Sequence, residues 1–149
     1  MLHPVHQFLH RLRTAASALL LPRQPAPPPN AESRLKDAVA QRLELLNLPY
    51  ARHPVAMGLR PDFLVGLDSQ HAAVLLVKDP LGPKAEVTLR RLRHCVESLQ
   101  AAGGLLVLPE DSVSPALPLL HSLVSDRPLA ITDLAGLASS LASLHPNLA

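Results

Sequence analysis

Two apolar runs, FLVGL at residues 63–67 and AAVLLV at 72–77, are separated by the four polar residues Asp68, Ser69, Gln70 and His71. No other feature constrains the fold of this chain as much. Short runs of this kind, rich in β-branched and other apolar residues, suit strands, and a polar four-residue connection suits a hairpin. The two strands are therefore expected to be antiparallel neighbours. The residues leading into the first then lie beside those leaving the second, which brings Asp62 and Lys78 to one end of a sheet. Alternation along a strand puts positions 76 and 78 on one face.

Around this hairpin the spacing of apolar residues predicts a definite order of elements. Residues 31–48, AESRLKDAVAQRLELLNL, place Leu35, Val39, Leu43 and Leu46 at helical spacing behind Asn30, a good N-cap, with Glu32 in the first turn. YARHPVAM carries no clear pattern. After the hairpin, EVTLRRLRHCVESLQAAGG sets Leu89, Leu92, Val96 and Leu99 on one stripe, and Gly103-Gly104 is expected to stop that helix. LLVLPE reads as a strand buried on both faces, PALPLLHSLVS as a helix, PLAITDL as a last short strand and LAGLASSLASL as a closing helix. Strand, helix, strand repeats imply parallel neighbours with right-handed crossovers. The expected fold is α/β: a mixed central sheet, part antiparallel hairpin and part parallel, flanked by helices.

The chain has 149 residues, 48% hydrophobic and 17% charged, which allows one sizeable core and no second large domain. Aromatic residues are 2% and Trp is absent, so the core must be built from Leu, Val and Ala, and single-strand binding by base stacking has no platform. A formal net charge of +2 and a pI near 9.1 permit nucleic-acid binding without requiring it. One cysteine, Cys95, excludes an intrachain disulfide framework and suits a reducing compartment such as the cytoplasm. It sits beside the apolar stripe of the second helix, where a partly buried, inert thiol is expected.

Residues 1–30 contain no Asp or Glu. Within them Val5, Phe8, Leu9, Leu12, Ala16 and Leu19 share a helical face, and residues 22–30 form a proline-rich, extended linker. The expected organisation is an amphipathic N-terminal helix over 1–21, the linker over 22–30 and one α/β domain over 31–149. The helix reads as a docking element, for a partner or for self-association through residues 5–19; a disordered arm and a targeting segment are the alternatives. Its apolar run is too short for a membrane span, and no other segment is long enough. His3, His6 and His10 share the opposite face, which is the solvated side of such a helix or a Zn²⁺ site.

The chemistry of the hairpin end follows from its residues. A phosphodiesterase uses carboxylate oxygens to hold Mg²⁺ and a lysine to position the nucleophile or offset charge. Asp62 and Lys78 are of those types, while Leu76 stands where a second acid would be needed. The bland reading is a turn residue entering a strand and a lysine snorkelling from a strand end.

Asp62 followed by Leu76-Val77-Lys78 resembles the PD-(D/E)xK motif of the restriction-endonuclease-like superfamily, and the order of elements over roughly 31–144 is similar to that of the Mrr-type restriction endonucleases. The resemblance implies a DNA-acting fold of repair or defence, with Asp62 as metal ligand and Lys78 as catalytic aid. It also implies a damaged site, because Leu76 replaces the family's acid. Glu32 or Glu86 is the available replacement carboxylate. Lys84, Arg90, Arg91, Arg93 and His94 cluster on and just before the second helix and suit phosphate contacts, or else form a solvated face. Two functions follow as expectations. One is a nuclease-derived module for duplex DNA, catalytically weak or inactive, with Mg²⁺ needed only if activity survives. The other is a protein-interaction or structural subunit that kept only the fold. No Gly-rich phosphate loop follows any expected strand.

Overall fold

The computed structural model describes residues 30–145. The expected N-terminal helix, nearly all of the linker and the His3, His6 and His10 face lie outside the described residues. The described chain folds as helix α1 (Ala31–Leu45), strands β1 (Tyr50–Arg52), β2 (Phe63–Gly66) and β3 (Ala72–Val77), helix α2 (Ala85–Ser98), strand β4 (Gly103–Val107), helix α3 (Glu110–His121), strand β5 (Leu129–Thr132) and helix α4 (Leu137–Leu144). The five strands form one sheet in the order β1-β2-β3-β4-β5. β1, β2 and β3 are antiparallel in succession, whereas β3, β4 and β5 are parallel. The expected α/β fold with a mixed sheet is therefore present.

Two apolar layers sandwich that sheet. On one side Leu64, Val74, Leu76 and Leu106 pack with Leu89, Leu92 and Val96 of α2 and Ala116 of α3. On the other, Phe63, Val65, Leu75, Val77 and Val107 pack with Val39 and Leu43 of α1 and Leu137, Leu141 and Leu144 of α4. All six residues of β3 are buried, as expected of a central strand covered on both faces.

Four local expectations are corrected. α1 stops at Leu45 rather than 48, because Asn47 takes a left-handed conformation with φ of 56°, and Leu48 N–H closes back on the Leu43 carbonyl. Leu46 consequently leaves the stripe and is exposed. α2 is ended by Gln100, at φ of 52°, with Ala101 N–H bonded to the Val96 carbonyl, and not by Gly103-Gly104. Those glycines open β4, where bulk is forbidden. A Cβ on Gly103 would stand 2.6 Å from the Pro128 carbonyl oxygen, and one on Gly104 would stand 2.7 Å from Val96 Cγ2. α3 begins at Glu110, five residues before the expected start, with Glu110 and Asp111 favourably placed in its first turn and Pro115 and Pro118 inside it. YARHPVAM, finally, contains β1, whose Tyr50 and Arg52 pair with Val65 and Phe63.

Candidate functional site

Asp62 sits one residue before β2 and Lys78 one residue after β3, so antiparallel pairing places both at the same sheet end. Asp62 is 7% exposed. Its carboxylate Oδ2 accepts a 2.7 Å hydrogen bond from the Val77 backbone N–H, and its Oδ1 lies 3.1 Å from the Lys36 ammonium. Its backbone N–H donates to the Leu75 carbonyl at 3.1 Å, and its carbonyl accepts from His53 N–H at 2.8 Å. Every polar atom of Asp62 is thus engaged.

α1 supplies the rest of this end. Glu32, in its first turn, lies 3.5 Å from Lys36 Nζ through Oε2 and 3.9 Å from Lys78 Nζ through Oε1, and Oε1 also accepts from Asp79 N–H at 3.4 Å. Asp62, Glu32, Lys36 and Lys78 form one network of two acids and two bases. The face expected for Lys78 is corrected here. Leu76 is fully buried in the α2 layer, whereas Lys78, past the end of β3, turns its amine to α1 on the opposite side. Lys78 N–H still closes on the Val107 carbonyl at 3.1 Å, but Val77 is the last residue of β3 paired with its neighbours, and past it the alternation of side chains no longer applies.

Of the two replacement acids, Glu32 is at the site and Glu86 is not. Glu86 is exposed on α2 and pairs with Arg90 at 2.5 Å. Lys36 was missed by sequence reasoning; its signal was the helical i, i+4 spacing with Glu32. Burial depresses the His53 imidazole below its ordinary pKa, and Lys36 pushes it further the same way. Burial raises the Cys95 thiol, which is 1% exposed, in keeping with an inert role.

The arrangement does not fit Mg²⁺. A divalent cation needs free carboxylate oxygens at close range. Both Asp62 oxygens are committed, Leu76 offers no donor, and the Lys36 ammonium lies between the two acids. Among the described residues no group of three or more His, Cys, Asp or Glu is arranged to hold a metal.

The expected basic cluster is partly used within the fold. Arg91 donates to the Arg60 carbonyl, Arg93 donates to the Val124 carbonyl at 3.0 Å, and Arg90 pairs with Glu86. Lys84 is the N-cap residue of α2, exposed, six residues past Lys78.

A second polar cluster lies at the opposite sheet end, in the β2–β3 connection. Asp68 Oδ1 accepts from the N–H groups of Gln70 and His71, both at 2.7 Å, which fixes the turn. Its Oδ2 lies 2.8 Å from His71 Nδ1 and 2.9 Å from His145 Nε2. Desolvation pulls the Asp68 pKa upward, but the Gln70 N–H and the His71 side chain and N–H outweigh it and bring it down to about 2. The two histidines carried no ligand spacing in the sequence, and the fold alone unites them.

No protein-family model, curated protein or solved structure matches the chain. Among the described residues no helix is long and apolar enough to cross a membrane.

Proposed function

We propose that the chain is a catalytically inactive, nuclease-like module that contacts duplex DNA through its phosphates, in a reducing, cytoplasmic setting. The observation that carries this reading is the convergence of cations on the Asp62 end of the sheet. Lys78 leaves β3 there, Lys84 opens α2 there, and Arg91 ties α2 to the carbonyl of Arg60, two residues before Asp62. Arg60, Lys84 and Arg91 are exposed and Lys78 is partly so. Phosphate contacts need only such a rim and no metal. Inactivity is supported by Leu76, buried in the core, and by Asp62, whose oxygens serve the fold.

The test is fluorescence anisotropy with a labelled duplex across a salt series. Four phosphate contacts give a slope of log K against log salt of about −3.6, and Lys84→Glu reduces its magnitude by about 1. Binding that is absent at low salt, or that is insensitive to salt, overturns the reading. Plasmid DNA with Mg²⁺ or Mn²⁺ should show no nicking above background. Cleavage abolished by both Asp62→Ala and Lys78→Ala would establish an active enzyme instead.

One observation favours the second reading, a protein-interaction subunit. Leu45 is 74% exposed, and Leu46 borders a cleft of about 220 Å³ lined by Leu48, Leu67, Leu141 and Ala142. Deleting residues 1–29 tests it by sedimentation: a change in association at unchanged melting temperature supports docking, and a large loss of stability alone removes it.

A further inference from the structure

We propose that the Lys36 ammonium is the protein's own cation, standing where two converging carboxylates would otherwise hold a divalent metal. Asp62 Oδ1 lies 3.1 Å and Glu32 Oε2 3.5 Å from Lys36 Nζ, so a single positive centre is shared by acids from the sheet and from α1. The Lys36 side chain is 15% exposed and that of Asp62 10%, so water screens this contact poorly. The charge balance explains the choice of cation. Asp62 and Glu32 carry two negative charges, Lys36 and Lys78 two positive, and the cluster is neutral without any bound ion. Adding Mg²⁺ would place two uncompensated positive charges in a mostly buried site. A tethered ammonium also has no dissociation constant, so the junction of α1 with the sheet end does not depend on metal supply.

The inference concerns Lys36 and these two acids alone and does not need DNA contact; a protein that fails to bind DNA leaves it standing. Removing the ammonium should turn the pair into a metal site, because Mg²⁺ and Mn²⁺ settle on one or two carboxylates while keeping several waters.

The experiment is thermal melting of the full chain, wild type and Lys36→Met, in EDTA and across an MnCl₂ titration. Wild type should show no saturable change in Tm. Lys36→Met should melt lower in EDTA and rise by roughly 5 °C when Mn²⁺ reaches ten times its Kd. Adding Asp62→Asn to Lys36→Met should abolish the rise. A folded Lys36→Met protein with no metal response overturns the proposal, as does an equal rise in wild type. Should Lys36→Met fail to fold, paramagnetic broadening in the wild type decides alone. Mn²⁺ should leave the Val77 amide signal, which reports on Asp62 Oδ2, unbroadened, and selective broadening there overturns the proposal.

Discussion

The backbone N–H of Val77 donates to Asp62 Oδ2 at 2.7 Å, so a side chain takes the place of a ladder carbonyl where β2 and β3 part. With Lys36 on the other oxygen, Asp62 fastens both strands to α1. Asp62→Ala leaves the buried Val77 N–H without its acceptor and takes from the Lys36 ammonium the nearer of its two acids, with Glu32 still at 3.5 Å, and should cost about 3 kcal/mol in urea unfolding. Asp62→Asn keeps an acceptor for Val77 and should cost clearly less. Equal losses in the two variants would show that the Val77 bond is energetically idle.

Leu76 and Lys78 should respond oppositely to substitution. A carboxylate at the fully buried position 76 faces the α2 layer with no partner, so Leu76→Glu should lose more than about 4 kcal/mol or fail to fold. Lys78→Leu removes only a partly exposed contact of 3.9 Å and should change stability by less than about 1 kcal/mol. Circular dichroism melts of both variants check the contrast; a well-folded Leu76→Glu protein with the wild-type Tm would contradict the burial.

The two glycines of β4 should not be equivalent. At Gly103 an added methyl meets the Pro128 carbonyl oxygen at 2.6 Å, which is backbone and cannot rotate away. At Gly104 it meets Val96 Cγ2 and Leu92 Cδ1 at 2.7 and 2.8 Å, and side chains give more readily. Gly103→Ala should therefore cost roughly 3 kcal/mol and Gly104→Ala roughly 1–2 kcal/mol, measured by denaturant midpoints. The reverse order would place the tighter constraint on the α2 side.

The low pKa of Asp68 sets an acid limit on stability. A carboxyl near 2 in the folded chain and near 3.8 when unfolded stabilises fully above about pH 4, and that contribution disappears as pH falls toward 2. Melting curves of wild type and Asp68→Asn should be furthest apart above pH 4 and converge below it. A gap that stays constant from pH 5 to pH 2 would mean that ionisation of Asp68 does not stabilise the turn.

His53 reports on Lys36. Burial and then the Lys36 charge depress its pKa, while Asp62 raises it. Lys36→Met removes one depressing charge and leaves the Asp62 influence, so the His53 ring should titrate higher in the variant. Proton NMR of the imidazole reads this directly, and an unchanged or lower midpoint would separate the two groups.

The hairpin, the stripes of both long helices and the shared end of Asp62 and Lys78 were legible because they follow from local spacing and one antiparallel connection. β1 was not, since three residues, Tyr50, Ala51 and Arg52, carry too little pattern until β2 offers them a ladder. Gly103 and Gly104 read as a helix stop because glycine has that local meaning, whereas here the role of Gly103 is set by Pro128 and Leu144, distant in sequence, and that of Gly104 by the packing of α2 back onto the sheet. Lys36 escaped notice for a related reason: on a helix surface it resembles any lysine paired with a glutamate, and only the docking of α1 on the sheet brings Asp62 to it.

The strand order of the sheet repeats the order of the chain. No strand has to be threaded between two that are already in place. Each pairs with the strand made just before it, and the sheet extends from a single growing edge, from β1 toward β5. A nascent chain leaving the ribosome can lay this sheet down in the order of synthesis. Every hydrogen-bonded ladder then awaits only the next segment and never a distant one.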